Sequence, residues 1–259
     1  MNLNNPPIVE MFIGAQFLTK KVVDTTQIIH FWANKLQKDY PIIQEAAALQ
    51  DVFEKFDESP SNHPPTFTLK IGNTPSVRYQ FSNKEGDRIV QLQPTHLLLN
   101  WVRKDSDYPR FSVLNRVFTG ILNDWVEVQK GNDFSVNQWE LGYINFIRRG
   151  GLWTTLNDWH RISPLFANPV EDFSRLILDD QSYQWRFQIP EKQGRITLTV
   201  KQQYNAQKEW GMMLNITGRG PASSLEQLTE RINMAHREIL YLFEKFATEE
   251  AKNYWGFNK

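Results

Sequence analysis

Two long amphipathic stretches, each closing a run of strand-like segments, restrict this chain to few architectures. In "FSVLNRVFTGILNDWVEV", Leu114, Val117, Phe118, Ile121, Leu122 and Trp125 fall on one stripe at helical spacing. From Ser224 onward, Leu225, Leu228, Ile232, His236, Ile239, Phe243 and Phe246 do the same. Each stripe is apolar on one side only, so each helix needs an apolar layer to cover.

The segments between them supply that layer. After Pro6 and Pro7, which disfavour a helix, Val9, Met11, Ile13, Ala15 and Phe17 take every second place, and the other phase carries Glu10 and Gln16. A period of two predicts a strand. Asp24 opens a predicted helix, with Gln27 at capping-box spacing and Ile28, Phe31, Trp32, Leu36 and Tyr40 on one face before Pro41. Residues 42–65 are ambiguous: "QEAAALQDVFEKF" is compatible with helix, and "DESPSNHPP" reads as loop. Strands are then predicted around Phe67–Ile71, Val77–Phe81, "RIVQLQ" and "HLLLNWV", with hairpin chemistry in "NKEGD". After the first long helix, "NQWELGYINFIRRG" is again a strand and "LWTTLNDWH" a helical turn or two. "FSRLILD", "YQWRFQI", "RITLTVKQQ" and "WGMMLNITG" are four more strand candidates before the last helix.

Each half therefore reads strand, helix, four strands, helix, although no residue-level repeat is visible. The expectation is an α+β fold of two duplicated units, 1–134 and 135–259, in a TATA-binding-protein-like arrangement. Their antiparallel sheets would join, with the helices on one face.

Composition removes several functions. The 29 basic and 29 acidic residues balance, so the basic face that nucleic-acid binding relies on is not apparent. There is no cysteine, hence no disulfide, thiol nucleophile or Cys-ligated zinc, which fits a reducing cytoplasm. No apolar run reaches the roughly 18–20 residues of a membrane span, and no secretory leader is seen. The five histidines show no metal-ligand spacing, and there is no GxSxG nucleophile or nucleotide P-loop. No metal, cofactor or catalytic residue is expected.

Three stretches carry a resemblance: "NPPIVE" (Asn5–Glu10), "LGYIN" (Leu141–Asn145) and the terminal "AHREILYLFEKFATEEAKNYWG". In that order and spacing, with "RIVQLQPTHLLLNWV" between, they resemble the patchily distributed bacterial "sporadic" family of unassigned function. The resemblance implies a mobile gene of the kind found in anti-phage defence or toxin neutralisation. Gly142 departs from it, since the family often has arginine there.

Eight residues stand out as candidates for partner or ligand binding. Glu10, alone among apolar neighbours, either grips a cationic group or pairs with an arginine such as Arg78 or Arg148, the commoner cause of such placements. Tyr143 and Asn145 share a strand face and either bond a ligand or satisfy local backbone. Arg148 and Arg149 precede two glycines, a loop suited to an anion or simply to solvent. Trp153 and Trp159 sit near the junction of the halves as a candidate exposed recognition patch, on the enrichment of tryptophan at binding hot spots. His236 lies on an apolar helical stripe, where a buried histidine with one local partner is the ordinary case.

These observations favour a non-catalytic protein that binds a protein partner or effector. A sensor of an anionic small molecule or nucleotide, with its pocket between the halves, is the alternative. Nucleic-acid binding on the sheet is weaker, and self-association is left open.

Overall fold

Alternating residues of the long strands divide cleanly between two environments, and this builds one large sheet. The computed structural model describes residues 2, 3, 5–19, 24–52, 54, 56, 77–104, 107–130, 134–166, 178–205 and 207–258. In chain order these form β1 (Asn2–Leu3), β2 (Ile8–Thr19), α1 (Thr25–Phe31), β3 (Ile42–Ala47), β4 (Val77–Ser82), β5 (Arg88–Gln93) and β6 (His96–Val102). Then come α2 (Phe111–Val128), β7 (Phe134–Arg148), β8 (Ser182–Ile189), β9 (Gly194–Tyr204), β10 (Trp210–Pro221), α3 (Leu225–Phe246), α4 (Glu249–Tyr254) and β11 (Phe257–Asn258). A π-helical turn, Trp32–Leu36, continues α1, and a short 3-10 helix spans Leu156–Arg161.

Nine strands form a single antiparallel sheet in the order β3-β4-β5-β6-β2-β7-β10-β9-β8. The fold is thus α+β. The strands expected at Phe67–Ile71 and over 173–177, and the loop at 57–65, lie outside the described residues. The stretch read as compatible with helix is instead partly strand, since Ile42–Ala47 pairs along β4. Long-range pairing outweighs the helix propensity of its alanines.

On one face, Met11, Ile13, Ala15 and Phe17 of β2, Leu97, Leu99 and Trp101 of β6, and Trp139 and Leu141 of β7 are all buried. The two long helices cover this face, α2 against β6 and β2, α3 against β7 and β10. Their buried stripes are those the spacing predicts, with Trp125 of α2 and Ile232 and Ile239 of α3 fully enclosed. Ser224 caps α3, its hydroxyl accepting from the Gln227 amide at 3.1 Å. Asp24 caps α1 through the Thr26 amide at 3.0 Å.

Trp153 and Trp159 belong to this core. Each is 1% exposed, and their rings meet edge to face at 6.0 Å. The expected recognition patch is therefore corrected: both rings are internal. Phe166 packs on Trp159 and on Phe246 of α3, so the short helix delivers Trp159 inward. It is anchored by Asp158, whose carboxylate accepts the Thr154 and Thr155 amides at 2.8 Å each. Those backbone bonds hold the carboxyl well below the usual range.

Candidate functional site

The other strand phase faces away from the helices and is polar. It carries Glu10 and Gln16 of β2, Gln91 and Gln93 of β5, His96 and Asn100 of β6, and Gln138 and Glu140 of β7. Such residues ordinarily lie in water. Here Gln16, Gln91, Gln93, His96, Asn100, Gln138 and Glu140 are buried.

The cover is the segment following β3. Gln93 receives the Leu49 amide on its Oε1 at 2.8 Å and donates Nε2 to the Leu49 carbonyl at 3.1 Å. Gln138 repeats the device, accepting from the Glu54 amide at 3.1 Å and donating to the Val52 carbonyl at 2.7 Å. Two side-chain amides thus bond the strap as a neighbouring strand would. Its charges are tied as well: Glu54 pairs with Arg195 and, at 3.5 Å, with Arg186, and Asp51 accepts from the Thr95 hydroxyl at 2.8 Å.

Between strap and sheet lies a cavity of about 380 Å³. Leu49, Gln50 and Val52 roof it, and Phe12 and Leu98 give it an apolar wall. Its polar lining comes from six adjacent strands: Arg78 of β4, Gln91 of β5, His96 and Asn100 of β6, Glu10 of β2, Glu140 of β7 and Arg219 of β10.

Three features set its electrostatics. First, amides run in one direction towards Glu10. Gln80 donates to Gln91 at 3.1 Å, Gln91 to Asn100 at 2.7 Å, and Asn100 to the Glu10 carboxylate at 2.6 Å. Burial raises the Glu10 pKa while the Asn100 bond opposes it. Second, Arg219 donates Nε to Glu140 at 3.0 Å, so these two charges compensate one another. Third, Arg78 makes no ion pair with any described residue, and its Nε is buried without a hydrogen-bond acceptor. Burial lowers its pKa.

His96 Nδ1 lies 3.1 Å from Gln93 Nε2 and 2.9 Å from the Thr95 hydroxyl oxygen. Burial lowers the His96 pKa, although Glu140 and Asp51 pull the other way. Asp51 lies 3.6 Å from Nδ1.

Phe12 stands over β7 because position 142 has no side chain. A Cβ at Gly142 would meet the Phe12 ring at 2.2 Å.

Of the eight candidate residues, only Glu10 lines the cavity. The arginine expected beside it is absent among the described residues, since Asn100 is its bonded partner and Arg148 pairs instead with Glu209 at 3.2 Å. Tyr143 and His236 are brought together on the opposite, helix-covered face, hydroxyl to Nδ1 at 2.7 Å. There the imidazole stacks on Phe111 at 3.8 Å. Burial, with nearby positive charge including Arg237, lowers the His236 pKa to about 4. Asn145 donates to the Leu214 carbonyl at 3.2 Å, and Arg149 donates Nε to the Thr154 carbonyl at 2.6 Å, both satisfying backbone. Missed were Arg78, Gln91, His96, Asn100, Glu140 and Arg219. The available signal was phase: all are polar residues at alternate positions of strands whose other phase is largely apolar. No His, Asp or Glu cluster able to hold a metal occurs among the described residues, and no helix there is long and apolar enough to cross a membrane.

No family model and no curated protein matches the chain. Among solved structures it is similar to the crystal structure of DynU16, a protein from the dynemicin biosynthetic locus, at 14% identity over 67% of this chain and 76% of that one. The TM-score is 0.25, a degree of likeness that bears on neither site nor activity.

Proposed function

We propose that this chain is a small-molecule-binding protein whose site is the roofed cavity on the helix-free face of the sheet, at the seam between two related units. The observation that carries this reading is the cavity itself. It is a 380 Å³ space with a polar floor, an apolar wall and a hydrogen-bonded roof, and its lining draws on strands both before and after residue 134. A preformed concave space with few convergent polar groups is the usual form of a ligand site.

Strand order supports the seam. Outward from the central β2–β7 pair, the order is β6, β5, β4 on one side and β10, β9, β8 on the other. Each central strand leads into a helical segment, α1 or Leu156–Arg161, and each group of strands ends in a long helix. This pattern favours the duplicated, TATA-binding-protein-like arrangement with units 1–134 and 135–259.

The protein-partner reading loses part of its motive, because Trp153 and Trp159 are enclosed. In the defence or toxin-neutralising setting implied by the family resemblance, such a protein would act as a sensor, responding to a small molecule and not to a surface. A thermal-shift screen of the full chain against metabolites and nucleotides tests the reading. A ligand of the site raises Tm with concentration by mass action, and the response is lost in a Leu98→Trp variant that fills the cavity. A flat response across the screen overturns it.

A further inference from the structure

The cavity holds two charges of opposite sign that do not satisfy each other. Glu10 accepts one neutral amide and meets no cation among the described residues, and Arg78 meets no carboxylate there. Their separation explains this. β4 and β2 are three strand spacings apart, about 14 Å. Arg78 also adjoins the rung of Tyr79, Leu92, Leu97 and Ala15, far along β2 from Glu10. Arg78 itself sits one rung further, level with Gln16, so six residues of strand add about 20 Å along the chain direction, for a diagonal of roughly 25 Å between backbones. Extended Arg and Glu side chains together cover roughly 11 Å at ordinary bond lengths, leaving a gap on the order of 14 Å.

We propose that the ligand is an elongated zwitterion of about tetrapeptide length, its ammonium on Glu10 and its carboxylate on Arg78. This rests on the cavity being a ligand site and goes further by naming the chemical class. The guanidinium offers a forked pair of donors that matches a carboxylate. At the other end, the run of amides Gln80, Gln91 and Asn100 terminates on Glu10 as acceptor, leaving carboxylate lone pairs for an incoming ammonium. Between the ends, the amides of Gln91 and Asn100 offer both donors and acceptors, as peptide groups require, and Phe12 and Leu98 meet small apolar side chains. An extended chain of four residues spans roughly 14 Å, the length of the gap.

The test uses tetra-alanine as probe, with N-acetyl-tetra-alanine, tetra-alanine amide, alanine and hexa-alanine as comparators, measured by calorimetry and thermal shift on the full chain. Tetra-alanine is expected to bind. Blocking either end weakens binding by about tenfold or more, the loss of one charge-assisted contact, and alanine and hexa-alanine bind more weakly. Glu10→Gln keeps the Asn100 bond yet makes acetylated and free peptides equal. Arg78→Met makes amide and acid equal. Blocked and free peptides binding alike to the unaltered protein would overturn the inference. So would silence of all peptides, and if the wider metabolite screen then finds another ligand of the cavity, the site stands without this ligand class. Silence in both removes the site as well.

Discussion

The two faces of the sheet are built from the same strands, one residue out of phase, and they are held together in opposite ways. Beneath α2 and α3 the contacts are apolar and non-directional, with Trp101, Trp125 and Trp139 wholly enclosed. Beneath the strap, burial is achieved largely by paired amides, Gln93 and Gln138 each bonding the strap backbone as donor and acceptor. Apolar packing tolerates sliding but not voids. Amide pairing tolerates local opening, since an exposed amide is satisfied by water at small net cost. The helix-covered face therefore supplies stability, and the strap-covered face supplies an enclosure that can open.

Substitutions can break this contrast, beginning with the largest expected effect. Trp139→Ala removes an indole that lies against Gly194, Gly218 and Gly220. Truncating a buried tryptophan costs about 3–5 kcal/mol, visible as a lower urea midpoint with an unchanged slope. Next comes pH. The folded-state pKa of His236, at about 4, is below its ordinary 6.5. Between these values the unfolded chain binds the extra proton, so the contribution of this residue is full above pH 6.5 and is lost as pH falls towards 4. His96 acts in the same direction, and Glu10, with a raised pKa, acts oppositely at the acid end. Replacing His236 by Phe should flatten the slope of stability against pH over that interval.

On the polar face the effects are smaller and more local. Gly142→Ala forces the Phe12 ring aside, at a cost of about 1–3 kcal/mol, and should weaken any ligand response by disturbing the cavity wall. Gln138→Leu leaves the Glu54 amide and Val52 carbonyl without their side-chain partner. Global stability should fall by only about 1 kcal/mol, while hydrogen exchange at residues 49–54 accelerates strongly. If exchange there is unchanged, the strap is held by its salt bridges and not by its amides. Arg148→Ala, at an exposed pair with Glu209, should change stability by less than about 0.5 kcal/mol and serves as the control.

Several elements were readable directly. The stripes of α2 and α3, the phase of β2 and the short helix at Leu156–Arg161 follow from periodicity and capping residues that act within a few positions. Glu10 was also readable, as the one carboxylate in an apolar strand. Its surroundings were not. Asn100 lies 90 positions away, and the polar phase of β4, Arg78, Gln80 and Ser82, reads in sequence like any solvated strand face.

Local spacing determined which residues of each strand face together and where the long helices run, because those properties depend on backbone geometry over one or two turns or rungs. Tertiary structure alone decided that Trp153 and Trp159 point inward, that a strap closes over a glutamine-rich face, and that Glu10 and Arg78 share a cavity without meeting. Each of these is set by contacts between segments far apart in the chain, whose free energies no short window of sequence contains.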